Sequence, residues 1–225
     1  MKELTPKDIE RGRHILKNEV TGTDYNTVFQ SIVYTILAQR EQFQHQVDCF
    51  NKMMANELIA SPRRCLSRPS EVWEMLRHMS LNKTKFCYIL CAAQNYSRKM
   101  HNTMVSGINL PREDQIEIRK KIVNTVDGLS FKGASLVMVK CGYPNIVPID
   151  TWIYKWYDHK GNNSITWNNK YVELENMILN DAKLLNLTGA EYQASIWGKS
   201  STYRGTEIVD YFKSKQKLIT NFKGK

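Results

Sequence analysis

Lys132 and Asp150 are the residues of this chain whose types and surroundings could make and break bonds. Lys132 follows the turn Val126-Asp127-Gly128-Leu129-Ser130-Phe131 and opens the apolar stretch Gly133-Ala134-Ser135-Leu136-Val137-Met138. That spacing is helical and puts the lysine in a first turn. The positive end of a helix dipole disfavours a cation there. The same field, together with burial, favours the neutral amine. A neutral lysine amine is a nucleophile that can form a Schiff base. Asp150 stands eighteen residues later, in Val147-Pro148-Ile149-Asp150-Thr151-Trp152, where another helix should start. An aspartate at that point is a good N-cap, worth about 1 kcal/mol. A carboxylate held by backbone N–H groups is also fixed in place, so it can stabilise developing positive charge or take part in proton transfers. Taken singly, Lys132 reads as a solvated helix lysine and Asp150 as a cap.

The turn before Lys132 has a role of its own. A tight turn at a helix N-terminus presents backbone N–H groups that bind phosphate oxygen without reading sequence. Gly128 permits the close approach, and Ser130 can add a hydroxyl. The composition agrees with a polyanionic partner: 32 Lys and Arg face 22 Asp and Glu, a net charge of +10, and nucleic acid is the commonest such partner. The N-terminal residues are polar with no apolar signal core, and no run approaches a membrane span. A soluble intracellular protein, monomeric and with no membrane partner, is expected. Of the five cysteines, Cys49, Cys65, Cys87, Cys91 and Cys141, no two form a Cys-x-x-Cys pair. They read as small apolar residues in a reducing compartment.

The elements that must hold these residues are helical almost throughout. Val28, Ile32, Val33, Ile36 and Leu37 share one face behind Asn26, a plausible N-cap. Val47, Phe50, Met54 and Leu58 form a second helix, and the prolines and serines from Ser61 to Pro69 read as a loop. Val72, Trp73 and Leu76 suit a short helix, and Phe86, Ile89, Leu90 and Ala93 a longer one. Pro111 fits the first turn of a helix carrying Ile116, Ile122, Val123 and Val126. The helix of Ala134, Val137, Met138 and Cys141 ends at Gly142, a natural C′ residue ahead of Pro144. Gly161-Asn162-Asn163-Ser164 is a polar loop. Further helices follow, one around Ala190 to Trp197, and the tail 213–225 is basic. The only strand-like run is 146–149. The fold class is all-α, with about nine to eleven helices of ordinary length.

The glycine turn, the lysine and the later aspartate together resemble the helix-hairpin-helix DNA glycosylases, with the hairpin at about 115–141. The similarity runs in order from about Asn26 to Trp197. Ile146-Val147-Pro148-Ile149-Asp150 looks most like the compact 8-oxoguanine DNA glycosylases and AP lyases of archaea and bacteria. The resemblance implies two helical subdomains flanking a cleft, residues 25–128 forming a central barrel and 1–24 joining 129–225. It implies damaged duplex DNA as partner, Lys132 as the Schiff-base nucleophile and Asp150 as its carboxylate. Gly128, Ser130, Lys83 and Lys85 would meet the DNA backbone. Gln39, at the end of Ile36-Leu37-Ala38-Gln39, would fill the gap left by a flipped base, with Arg40 and Gln42 near the orphaned base. Gln193 and Trp197, i and i+4 on one helix face, would read and cover the flipped base with Leu136 beside it. Solvated lysines, a polar helix-to-helix turn and a core tryptophan are the plainer readings of these positions.

Several departures from the family pattern stand out. Ser130 replaces a second hairpin glycine, Trp152 a frequent histidine, and Leu136 a cysteine or aromatic residue. No cysteine follows Cys141, so no iron–sulfur cluster of the endonuclease III kind can be built. No redox cofactor or catalytic metal is expected, and the resemblance leaves room for a structural Na+ or K+ on hairpin carbonyls. Two alternatives stay open: a cluster-free endonuclease III-like enzyme for oxidised pyrimidines, and a non-catalytic helix-hairpin-helix DNA-binding module.

Overall fold

The computed structural model of the chain describes residues 3–18, 22–157 and 169–200. The expected loop at 161–164 and the basic tail 213–225 lie outside the described residues. Twelve helices and no strand occur among the described residues, somewhat more helices than the periodicity suggested. The chain forms two compact units, one of residues 20–142 and the other of residues 1–19 with 143–225.

The unit 20–142 is built around α2 (Tyr25–Leu37), whose Val28, Phe29, Ile32, Val33, Ile36 and Leu37 are fully buried. A helix that is apolar on most sides must be surrounded. Its neighbours include α3 (Phe43–Ala55), α6 (Asn82–Asn95), α7 (Arg98–Ser106) and α9 (Phe131–Lys140). Asp24 caps α2, accepting from the Asn26 and Thr27 amides at 3.2 and 3.0 Å. Asn26, the cap expected from sequence, lies inside the helix. The stretch 61–69 is not a loop but mostly two short helices, α4 (Pro62–Ser67) and α5 (Pro69–Leu76). Each starts on a proline, whose missing N–H costs nothing at that position, and Ser61 caps the first. Pro111 is the N-cap residue just ahead of α8 (Arg112–Thr125). After α9, Gly142 takes a left-handed φ of +100° and ends the helix.

The hairpin's second helix, α9, belongs to this unit, packed on α2 and α8. The unit therefore runs on to Gly142, not to residue 128. Its apolar face, with Ala134, Val137 and Met138 fully buried, explains the difference.

The other unit holds α1 (Pro6–Asn18), α10 (Thr151–Trp156), α11 (Asn169–Leu184) and α12 (Gly189–Ser200). Helices α1 and α12 lie closely side by side. Arg13 pairs with Glu191 at 2.9 Å, and Lys199 reaches Asp8 at 2.9 Å, so the two helices run antiparallel. The approach depends on Gly12, where an added Cβ would lie 2.6 Å from the Ser195 backbone nitrogen. Alanine is the better helix former by about 1 kcal/mol, but here its methyl group would meet backbone, which cannot rotate away. Gly12→Ala is therefore expected to lower stability by about 1–3 kcal/mol. Urea denaturation would check this, and a variant as stable as the parent would contradict the packing described.

Candidate active site

The hairpin is a turn between α8 and α9 closed by short-range bonds. The Leu129 amide donates to the Val126 carbonyl at 3.2 Å. Gly128 has φ +86°, a left-handed conformation. An added Cβ would stand 2.3 Å from the Tyr88 ring, so both conformation and space select glycine. The side-chain amide of Gln39 donates to the Gly128 carbonyl, tying the turn to the end of α2. Ser130 is the N-cap of α9, its Oγ accepting from the Gly133 amide at 3.4 Å. The missing second glycine is thus replaced by a capping hydroxyl.

Lys132 occupies the first turn of α9 and is exposed. Burial, one half of the sequence argument for its activation, is not supplied by this unit. Leu136, one turn later, is half-buried.

Asp150 is positioned by a different device. The strand-like run 146–149 is not paired with a strand among the described residues. Its backbone groups are satisfied by side chains of α11 instead. Val147 N–H donates to the fully buried Glu175 at 2.8 Å. The Tyr171 hydroxyl donates to the Val147 carbonyl at 2.8 Å and accepts from the Ile149 amide at 3.0 Å. Buried backbone polar groups need such partners. Glu175 and Tyr171 carried no signal in the sequence, since neither shows its target without the fold. Asp150 then caps α10, one oxygen accepting from Trp152 and Ile153 amides at 2.9 and 3.0 Å. It is nine-tenths buried. Helix α10 is anchored at its far end, where the Tyr157 hydroxyl donates to Asp181 at 2.6 Å. Burial and this carboxylate hold the phenol protonated well above its usual range.

Gln193 and Trp197 are half-buried one turn apart on α12. Arg40 and Gln42 are exposed in the α2–α3 turn, Arg40 with φ +49°. Lys83 is exposed at the start of α6. Lys85 corrects the sequence reading: it is fully buried, and its ammonium pairs with Glu41 at 3.0 Å, so it is not presented to phosphate. Burial opposes the charge on Glu41, but Lys85 and the Ser80 and Gln42 amides outweigh it and hold the carboxyl below the usual range. Gln39 is engaged with the hairpin.

Cys49, Cys65 and Cys141 are buried, which pushes their thiols up to about 11, 12 and 12. Cys87 is exposed. Among the described residues no group of three His, Cys, Asp or Glu is placed to hold a metal. The hairpin carbonyls of Val126 and Gly128 already have protein donors. No described helix is long and apolar enough to cross a membrane.

Comparison with known proteins gives a consistent picture. The family model of 8-oxoguanine DNA glycosylase matches residues 9–187. No curated protein sequence matches. Among solved structures, the Methanocaldococcus jannaschii 8-oxoguanine glycosylase/lyase, crystallised with a 15mer DNA containing 8-oxoguanine, is similar at 16% identity. The match covers 86% of this chain and 89% of that one, with a TM-score of 0.64. The 8-oxoguanine DNA glycosylase of Thermotoga maritima is similar at 14% identity, over 87% of this chain and 89% of that one, with a TM-score of 0.65. At these identities the structural likeness establishes the fold.

The turn geometry generates a quantitative expectation. Gly128→Ala should cost at least about 1–2 kcal/mol from the left-handed backbone alone, with the Tyr88 contact adding to it. Removing the ring as well, in Gly128→Ala with Tyr88→Ala, should relieve only the added part. Urea melts of the four proteins of this cycle measure both, and full recovery in the double variant would show that the backbone is not strained.

Proposed function

The chain belongs to the 8-oxoguanine DNA glycosylase family, and from that premise we propose that it excises 8-oxoguanine from duplex DNA by attack of Lys132 at C1′ and then nicks the strand as an AP lyase. The observation that carries this reading is Lys132 itself, exposed in the first turn of α9 immediately after a glycine turn of the phosphate-binding kind. The family match supports it against an oxidised-pyrimidine enzyme or a binding module without chemistry.

The hairpin amides and the exposed Lys83 hold the backbone of the damaged strand, and the nucleotide flips out of the stack. Gln193 contacts the base edge, Trp197 covers its ring, and Leu136 packs beside it. These two α12 residues lie beyond the matched stretch, so their support is their shared helix face and partial exposure. The neutral Lys132 amine bonds to C1′ as the glycosidic bond breaks, and the electron pair leaves with the base, which is protonated. Asp150, held rigid by two amides, stabilises the positive charge on the sugar during this step. The aminal loses a proton, the ring C1′–O4′ bond opens, and a Schiff base results. Removal of a C2′ proton then expels the 3′ phosphate, and hydrolysis of the imine restores Lys132. Arg40 and Gln42 stand near the orphaned base. The enzyme acts as a monomer.

Borohydride reduction should trap a covalent adduct with a duplex carrying 8-oxoguanine opposite cytosine, and Lys132→Gln should abolish it. Asn also caps helices, so Asp150→Asn should fold normally yet slow excision about a hundredfold. Intact 8-oxoguanine after incubation with the wild-type protein would overturn the assignment. An adduct that persists in Lys132→Gln would move the nucleophile elsewhere.

A further inference from the structure

Arg119 is a charged side chain that the proposed reaction does not use, and it is fully buried. It sits on α8, and its guanidinium meets α9 at two places. The guanidinium carbon lies 4.7 Å from the centroid of the Phe131 ring, and Nη1 donates to Ser135 Oγ at 3.0 Å. Ser135, also fully buried, donates in turn to the Phe131 carbonyl at 2.8 Å. Phe131 and Ser135 are i and i+4, neighbours on the inner face of α9. Lys132 lies between them in the chain, on the exposed side of the same turn. That turn is therefore gripped from behind through the Phe131 ring, the Phe131 carbonyl and the hydroxyl that joins the two helices. Its own cap is loose by comparison, since Ser130 Oγ meets the Gly133 amide at 3.4 Å. A buried guanidinium is costly to desolvate, and an apolar side chain of similar volume often serves stability equally well. What such a side chain lacks is direction: arginine brings a flat face for a ring and donors in a fixed fork.

We infer that Arg119 is a positioning residue, acting through Phe131 and Ser135 to set the direction in which Lys132 leaves α9. This rests on Lys132 being the nucleophile proposed above. Arg119 is sealed from solvent, so contact with phosphate is left to exposed groups. The phosphate-binding turn is closed by bonds of its own, such as that from the Leu129 amide to the Val126 carbonyl. Loosening the brace therefore misplaces the amine without loosening the grip on DNA. A misplacement of about 1 Å is enough to cost up to roughly a hundredfold in rate.

Two variants cut the brace without removing the residue that carries the chemistry. Ser135→Ala removes the relay and leaves Arg119 in place, while Arg119→Lys keeps the charge but loses the fork and the flat face. In single-turnover reactions on 8-oxoguanine duplex, each should lower the excision rate constant about tenfold. Borohydride trapping at a preformed abasic site, which needs the amine but no base to read, should slow by the same factor. Affinity for an undamaged duplex should not change. A merely structural role would lower the reaction amplitude, as protein is lost to unfolding, and leave the rate constant of the remainder unaltered; that result overturns the inference. A loss of duplex affinity equal to the loss of rate also overturns it, because the brace would then serve the hairpin. Hydrogen exchange of the Ala134 and Ser135 amides reads the brace without activity: it should be faster in Ser135→Ala, and unchanged exchange would remove Arg119 from the role. Wild-type protein that leaves both 8-oxoguanine and the abasic site intact contradicts the enzymatic reading instead, so the two failures are distinct.

Discussion

The hairpin end of the unit 20–142 depends on one backbone conformation, the left-handed Gly128 fitted against the Tyr88 ring. An L side chain would be strained there whatever its neighbours, and a Cβ has no room. Because Gly128 can turn sharply, α9 starts only three residues later, at Phe131, with Ser130 as its cap. The first turn of α9, with Lys132 in it, is thereby set directly beside the turn. The apolar face of α9 then packs on α2, so the turn is held by the core behind it as well as by its own bonds. The position of Lys132, the proposed nucleophile, follows from a residue without a side chain.

Charge is divided between surface and interior in a way composition could not show. The net charge of +10 suggests an electrostatic footprint, yet Lys85, Arg119 and Lys140 are buried in the unit 20–142. Each has its own internal partner. Lys85 pairs with Glu41, Arg119 donates to Ser135 Oγ at 3.0 Å and lies over the Phe131 ring, and Lys140 lies over the Tyr34 ring. A buried cation without compensation would cost several kcal/mol, so these side chains hold helices together and do not meet solvent. The cations available to phosphate, such as Lys83 and Arg40, are the exposed ones.

Much of this was legible in the sequence because helix boundaries obey local rules. Gly142 ends α9, Asp150 begins α10, and the apolar spacing of α2 and α9 marks their faces, all within a few residues of chain. Other features depend on partners distant in sequence. The loop reading of 61–69 failed because Pro62 and Pro69 start helices as readily as they end them. The strand-like run 146–149 needs no neighbouring strand because Tyr171 and Glu175, more than twenty residues on, take backbone bonds that such a strand would have taken. Lys83 and Lys85 look alike in sequence, and only Glu41, far away on another turn, separates the exposed cation from the buried one.

The two proposed reactive residues use the same physics in opposite ways. Both sit at helix N-termini, where unpaired N–H groups create a positive field. At α10 that field is answered by the protein: Asp150 takes two amides at 2.9 and 3.0 Å, and its carboxylate is fixed by them. At α9 the answer is weaker, since Ser130 offers a neutral hydroxyl at 3.4 Å. A neutral cap leaves more of the field to act on an incoming anion. Serine is thus a physically sensible substitute for a second hairpin glycine, because it orders the helix start while leaving the net positive field in place. An aspartate at position 130 would cap α9 more strongly, but its charge would oppose a phosphate at the same helix end. The difference between the two caps matches the difference between their proposed tasks, one to hold a carboxylate of its own and the other to receive a phosphate from outside.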